Sequence, residues 1–153
     1  MSNAVGAARL SAALWECDRH RATLVEALAD WNVLPVPDIT ALDRDPSLRR
    51  LTDQILYRFT KLQDAMGERL VPATLDWLHE PQEAWPMRDR LDRLEKLGFL
   101  DVEDWLQWRD VRNRLAHEYP DQPELRWAAV LASIGAARDM VEAYQRWKLG
   151  LPA

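Results

Sequence analysis

One stripe of apolar residues limits what this chain can fold into: after Asp45-Pro46 they recur at Leu48, Leu51, Ile55, Phe59, Leu62, Met66 and Leu70. Steps of three and four keep side chains on one face of an α-helix, whereas a strand would scatter them over both faces. Asp45 offers an N-cap oxygen, and Pro46 places its missing N–H where a helix has no use for one. The spacing predicts a helix from Pro46 to about Leu78, kinked or divided at Pro72. Leu10, Leu14, Cys17, Leu24 and Leu28 repeat the pattern from about Val5 to Asp30, ahead of Pro35 and Pro37. A short helix is predicted from Met87 to Leu97, with Gly98 as its C-terminal stop. Another begins at Asp101, where Glu103 and Asp104 complement a helix dipole, and runs to about Ala116. The last runs from Pro123 to about Lys148, with Leu125, Ala129, Ala132, Ala136, Met140 and Tyr144 facing inward. No alternating segment supports a strand.

The expected class is therefore all-α, an up-and-down bundle of four to five helices. A length of 153 residues fits one domain able to bury a core without metal or disulfides. Residues 1–40 read as an N-terminal helical extension packed on the bundle, and residues 41–150 as the main helical domain. No apolar run approaches the roughly 20 residues that span a bilayer, and no basic segment with an apolar stretch opens the chain. Cys17 is the single cysteine. It cannot form an internal disulfide, and a reducing cytoplasm is the natural compartment. A net charge of −5 denies the chain a general attraction to nucleic acid, so DNA binding is not expected and any recognition of RNA must be local.

The chemistry is concentrated in Arg112-Asn113-Arg114-Leu115-Ala116-His117-Glu118-Tyr119. A guanidinium can fork onto two phosphate oxygens. An imidazole titrates near neutrality and can take a proton from a ribose 2′-hydroxyl or give one to a leaving oxygen. At about 100° per residue Arg112 and Tyr119 share a helical face, whereas His117 is turned about 140° from Arg112. Asn113 and His117, four residues apart, are neighbours on a helix, so the amide can orient the ring. Pro120 disfavours helix at Tyr119, which puts His117 on the last turn or just beyond it, free to swing toward Arg112. One imidazole cannot readily serve as base and acid on opposite sides of an in-line displacement. A single copy is half a site, and a two-fold dimer, for which Ala116 allows close helix approach, supplies the other half.

The pattern Arg112-Asn113-x-x-x-His117-x-Tyr119, at the end of a helix in an all-α domain, resembles the R-x4-H-x-Y motif of HEPN proteins, specifically the HepT-like branch. The resemblance covers about Pro46 to Lys148. It implies a HEPN-like bundle paired as a homodimer, with the Arg and His of both copies meeting in a cleft. It implies a metal-independent endoribonuclease, the toxin of a toxin-antitoxin pair, with Arg112 binding phosphate, His117 in acid-base catalysis and Asn113 orienting. The implied partner is an MNT-type nucleotidyltransferase that neutralises the toxin by transferring AMP to Tyr119. A related branch implies the alternative of a non-catalytic substrate-binding or antitoxin subunit of such a transferase.

Arg109, Arg112 and Arg114 against Asp110 and Glu118 leave a surplus of one positive charge, thin for an RNA groove. Arg58, Lys61 and Arg69 add to it if the second helix borders the cleft. Plainer readings stand alongside: His117 as a helix-end cap, Tyr119 as a ring packed before Pro120, Trp105 and Trp108 as core or dimer packing. His20 and His79 have no ligand spacing, and no Cys-x-x-Cys or glycine-rich phosphate loop occurs, so no metal and no cofactor are expected. Asp89 to Lys96 reads as a solvated helix face of mixed charge.

Overall fold

The computed structural model describes residues 2–35, 37–117 and 119–152. Every regular element among them is helical: α1 (Ser2–Asn32), α2 (Ile39–Arg44), α3 (Pro46–Ala65), α4 (Val71–Trp77), α5 (Met87–Lys96), α6 (Val102–Arg114) and α7 (Pro123–Leu149). Between α3 and α4 a π-helical turn, Met66–Leu70, continues the same rod. Pro72 has no N–H and its ring would crowd the carbonyl of Glu68, and the widened turn relieves that clash without ending the helix. Gly67 sits in this turn because α6 leans on it: a Cβ there would lie 3.1 Å from the Trp105 ring.

Pairs between helices fix the chain directions. Arg9 meets Asp76 at 3.6 Å, Arg69 meets Glu16 at 2.8 Å, and Arg58 Nη1 lies 3.0 Å from His20 Nδ1. Numbers fall along α3–α4 as they rise along α1, so the two are antiparallel. Trp105 against Gly67 and Arg112 against Asp64 make α6 antiparallel to α3. Arg126 against Asp43 and Trp147 against Thr74 make α7 run with the α2–α4 segment. The main rods alternate in direction as an up-and-down bundle does.

One buried cluster joins all of the helices. Leu10, Ala13, Cys17 and Leu24 of α1 belong to it beside Ile55, Phe59 and Leu62 of α3 and Ile134, Met140 and Trp147 of α7. Two polar side chains that α7 brings into this core are paired. The Trp147 indole N–H donates to Thr74 Oγ1 at 3.1 Å, and the buried Tyr144 hydroxyl donates to Asp18 Oδ1 at 2.7 Å, which also receives Lys148 at 2.8 Å. Burial opposes ionisation of Asp18, but the hydrogen bonds from Lys148 and Tyr144 prevail and hold its carboxyl below the usual range.

Several ends form as the sequence requires. Asp45 Oδ1 accepts from Ser47 and Leu48, and Asp101 Oδ1 from Asp104. Gly98 takes φ +86, and Gly98 N–H to Glu95 O with Phe99 N–H to Leu94 O closes α5 in a Schellman motif. The mixed-charge face of α5 turns out to bury Leu91 and Leu94, while Glu95 accepts from Val102 N–H at 2.8 Å and so helps to cap α6.

Three features differ from expectation. Helix α2 is an addition: its N-cap Asp38 accepts from Thr40 and Ala41, and its short length leaves no periodic signal. Helix α6 stops at Arg114, two residues early. Leu125 is 49% exposed: it shares a face with the buried Ala136 and Ala143, but it lies on the first turn of α7, ahead of Val130, where the buried part of the helix begins.

Candidate functional site

The motif begins on the last turn of α6 and continues beyond it. Leu115 N–H reaches both Val111 O and Arg112 O, and Ala116 and His117 make tighter bonds to Asn113 O and Arg114 O. This tightening uses up the helix. Tyr119, ahead of Pro120, then takes the left-handed φ of 49°, and Asp121 takes 60°. No α-helix propagates through that conformation. Tyr119 therefore does not share a helical face with Arg112, since the helix ends between them. Glu118 lies outside the described residues, as do Met1 and Val36 of the N-terminal stretch.

Arg112 is held by Asp64 of α3. Its Nη2 lies 2.9 Å from Oδ1 and 3.2 Å from Oδ2, with the two side chains 37% and 32% exposed. Asp64 had no signal in the sequence, because it lies 48 residues away and meets Arg112 only through the α3–α6 packing. The pair borders a cavity of 390 Å³ whose lining includes Gln63, Gly67, Trp105, Arg109 and Asn113. The Asn113 side chain is exposed and makes no hydrogen bond to His117. Trp105 and Trp108 are 5% and 4% exposed and stand edge to face at 6.3 Å, so within one copy they pack the core.

His117 and Tyr119 open onto a different cavity, of 440 Å³, bounded by Arg49, Thr52 and Leu56 of α3 and by Arg126 of α7. Their rings lie 5.9 Å apart at 55°. The imidazole is exposed and the tyrosine half-buried. This cavity meets α3 near residues 49–56 and the Arg112 cleft meets it near residues 63–68. At 1.5 Å per residue those levels are separated by roughly 15 to 20 Å along the helix axis. One copy thus brings His117 to Tyr119 and Arg112 to Asn113, and keeps the two halves of the motif apart.

Two cations beside His117 escaped the sequence reading. Arg49 donates to Asp43 O at 2.6 Å and to Leu42 O at 3.3 Å, and Arg126 pairs with Asp43 at 3.1 Å. They come from α3 and α7, and no local spacing links either to the motif. Other reactive groups are poorly placed for chemistry. Burial pushes the Cys17 thiol up to about 12, which leaves no useful thiolate at neutral pH. Among the described residues no group of three or more His, Cys, Asp or Glu side chains is placed to hold a metal ion, and no helix is long and apolar enough to cross a membrane.

Comparison with protein-family models, with curated proteins and with solved structures finds no match to this chain.

Proposed function

We propose that this chain is a HepT-like HEPN protein: a cytoplasmic, metal-independent endoribonuclease that acts as a homodimer and is the toxin of a pair with an MNT-type nucleotidyltransferase. The observation that carries the reading is the placement of the motif, with Arg112 on the last turn of α6 and the exposed His117 just past its end, opening onto separate cavities. A two-fold pairing that joins the ends of two α6 helices supplies two guanidinium groups and two imidazoles to one cleft. One His117 removes the proton from a ribose 2′-hydroxyl and O2′ attacks the adjacent phosphorus. The bond from phosphorus to the 5′-oxygen breaks, and His117 of the second copy protonates that oxygen. Arg112 leaves Asp64 to fork onto the non-bridging oxygens as their charge develops. The products are a 2′,3′-cyclic phosphate and a 5′-hydroxyl. Tyr119 stands beside His117, so transfer of AMP from a nucleoside triphosphate to its hydroxyl, with release of pyrophosphate, places a bulky anion at the imidazole and stops cleavage.

Purified protein is expected to cut RNA in the presence of a chelator and to leave a 2′,3′-cyclic phosphate end. His117→Ala should abolish cutting while the dimer persists, and Tyr119→Phe should keep cutting but gain no AMP when the transferase is present. Undiminished cleavage by His117→Ala overturns the mechanism. One observation favours a second reading: Arg112 is already engaged by Asp64, as expected of a non-catalytic subunit that presents substrate, or Tyr119 itself, to the transferase. That reading predicts a stable complex with the transferase and no growth arrest when the chain is expressed alone.

A further inference from the structure

Far from the motif's own loop, α1 and α3 build a surface that the function above does not use. Its two aromatics are Trp15, 62% exposed, and Tyr57, 54% exposed. Each carries a cation on its face. Arg19 Cζ lies 4.8 Å from the Trp15 centroid, and Arg58 Cζ and Lys61 Nζ each lie 5.6 Å from the Tyr57 centroid. None of Arg19, Arg58 and Lys61 forms a salt bridge with a carboxylate among the described residues. The two helices are tied at the patch by His20 of α1, whose Nδ1 accepts at 3.0 Å from Arg58 Nη1 of α3 and which feels the field of Arg19, Arg58 and Lys61 together. The bordering acids Glu16 and Asp64 are engaged by Arg69 and Arg112, and Asp53 lies one turn before Tyr57.

Position adds to composition. Tyr57, Lys61 and Asp64 fall on one outward stripe of α3, with about 10 Å of helix between the first and the last. Asp64 is the residue that holds Arg112. The patch therefore runs from the back of α1, over α3, to the edge of the Arg112 cleft.

The geometry points to this surface as a binding track for single-stranded RNA, with Trp15 and Tyr57 as stacking platforms and Arg19, Arg58 and Lys61 as phosphate contacts. Unpaired bases present a π-face that a duplex hides, and an exposed aromatic flanked by cations suits a base and its phosphate together. When a base displaces a cation from the ring, that cation is left within reach of the adjoining phosphate. An acidic chain, net −5, with a few unpaired cations gathered around two rings is built for local contact with a strand and not for wrapping a duplex. The choice of RNA over other polyanions that carry planar groups rests on the ribonuclease reading; the stacking and charge chemistry does not.

The test uses the full-length protein and a labelled 2′-O-methyl 12-mer, which cannot be cleaved through its 2′ position, with binding read by fluorescence anisotropy. The double variant Trp15→Ala/Tyr57→Ala alters only exposed side chains, and circular dichroism verifies its fold. Its affinity is expected to fall at least tenfold, as loss of stacking at two platforms requires. Arg19→Ala/Lys61→Ala should weaken binding and make the slope of log K against log salt shallower by about 1.4. Unchanged affinity in both variants overturns the proposal, as does tighter binding to a 12-base-pair duplex or to anionic vesicles than to the strand. The outcomes separate from those of the ribonuclease reading: a chain that cuts RNA with the platforms removed and binding undiminished loses only the track. One that binds through the platforms and never cuts retains the track and loses the nuclease.

Discussion

The ion pair between Arg112 and Asp64 gives opposite expectations for folding and for function, and a charge swap separates them. The Nη2 distances of 2.9 and 3.2 Å describe a good contact, but with side chains 37% and 32% exposed water competes for both charges. Such a pair contributes about 1 kcal/mol, well below what its Coulomb energy in a dry interior suggests. Arg112→Glu removes that contribution and sets two carboxylates together, so the expected loss is about 1.5 to 2 kcal/mol. In a chain of this size that lowers Tm by roughly 3 to 8 °C. Adding Asp64→Arg, which alone should cost about as much, restores an attractive pair and should recover at least half of the loss, a coupling of about 2 to 3 kcal/mol in the cycle of four proteins. Urea unfolding with a common m-value measures it. RNA cleavage, by contrast, should be absent in Arg112→Glu and stay absent in the swap, since a guanidinium on α3 does not occupy the place of the one on α6. A swap that regains cleavage along with stability refutes the phosphate-binding role and leaves Arg112 as a structural cation. A coupling energy indistinguishable from zero refutes the ion pair itself.

Thr74→Val is expected to cost about 1 to 2 kcal/mol by stranding the buried Trp147 indole N–H, and to cost almost nothing in a Trp147→Phe background, where no N–H is left to strand; equal costs in both backgrounds remove that bond from the account. Burial, reinforced by Arg58 and opposed by Glu16, holds the His20 pKa below its ordinary value of about 6.5. The unfolded chain therefore binds the proton more readily, so His20 contributes stability above pH ~6.5 that is lost as the pH falls below it; His20→Gln should show a smaller decline in urea midpoint between pH 7 and 5 than the parent, and an identical decline contradicts the assignment. Co-refolding His117→Ala with an equal amount of the unaltered chain should leave about a quarter of the cleavage, since only about that share of randomly paired dimers holds both imidazoles; retention of about half argues that the site lies within one copy.

Local rules made much of the fold legible. The stripe from Leu48 to Leu70 announced α3 and its continuation, and Asp45, Pro46, Gly98 and Asp101 marked ends by chemistry that acts over two to four residues. Helix α2 was missed because its length is six residues, too few for a period to register. Leu125 shares the face of Ala136, Met140 and Tyr144, which are buried, and is exposed because it precedes Val130, where the buried part of α7 begins; periodicity reads the face of a helix and not how far along it the packing extends. Within the motif the sequence located a helix end and could go no further. The cavity shared by His117 and Tyr119 and the clamp on Arg112 depend on Arg49, Arg126 and Asp64, which reach the site only when α3, α6 and α7 pack. Spacing along the chain carries no information about such encounters.

The Asp64 clamp and the α1–α3 surface bear on each other through their energies. Releasing Arg112 from Asp64 costs about 1 kcal/mol, and a phosphate diester offers the guanidinium a similar single charge, so the exchange alone gives little net attraction. Stacking of a base on an exposed aromatic is worth about 1 to 3 kcal/mol. A strand seated on Trp15 and Tyr57 would therefore have enough free energy in hand to drive the exchange at Asp64, whereas a lone phosphate or a mononucleotide would not. Under the proposed reading, Arg112 stays clamped until a strand long enough to reach from α1 across α3 is bound. Selectivity for strands over mononucleotides then follows from the helix packing, with Asp64 setting the threshold and the two aromatic platforms supplying the means to cross it.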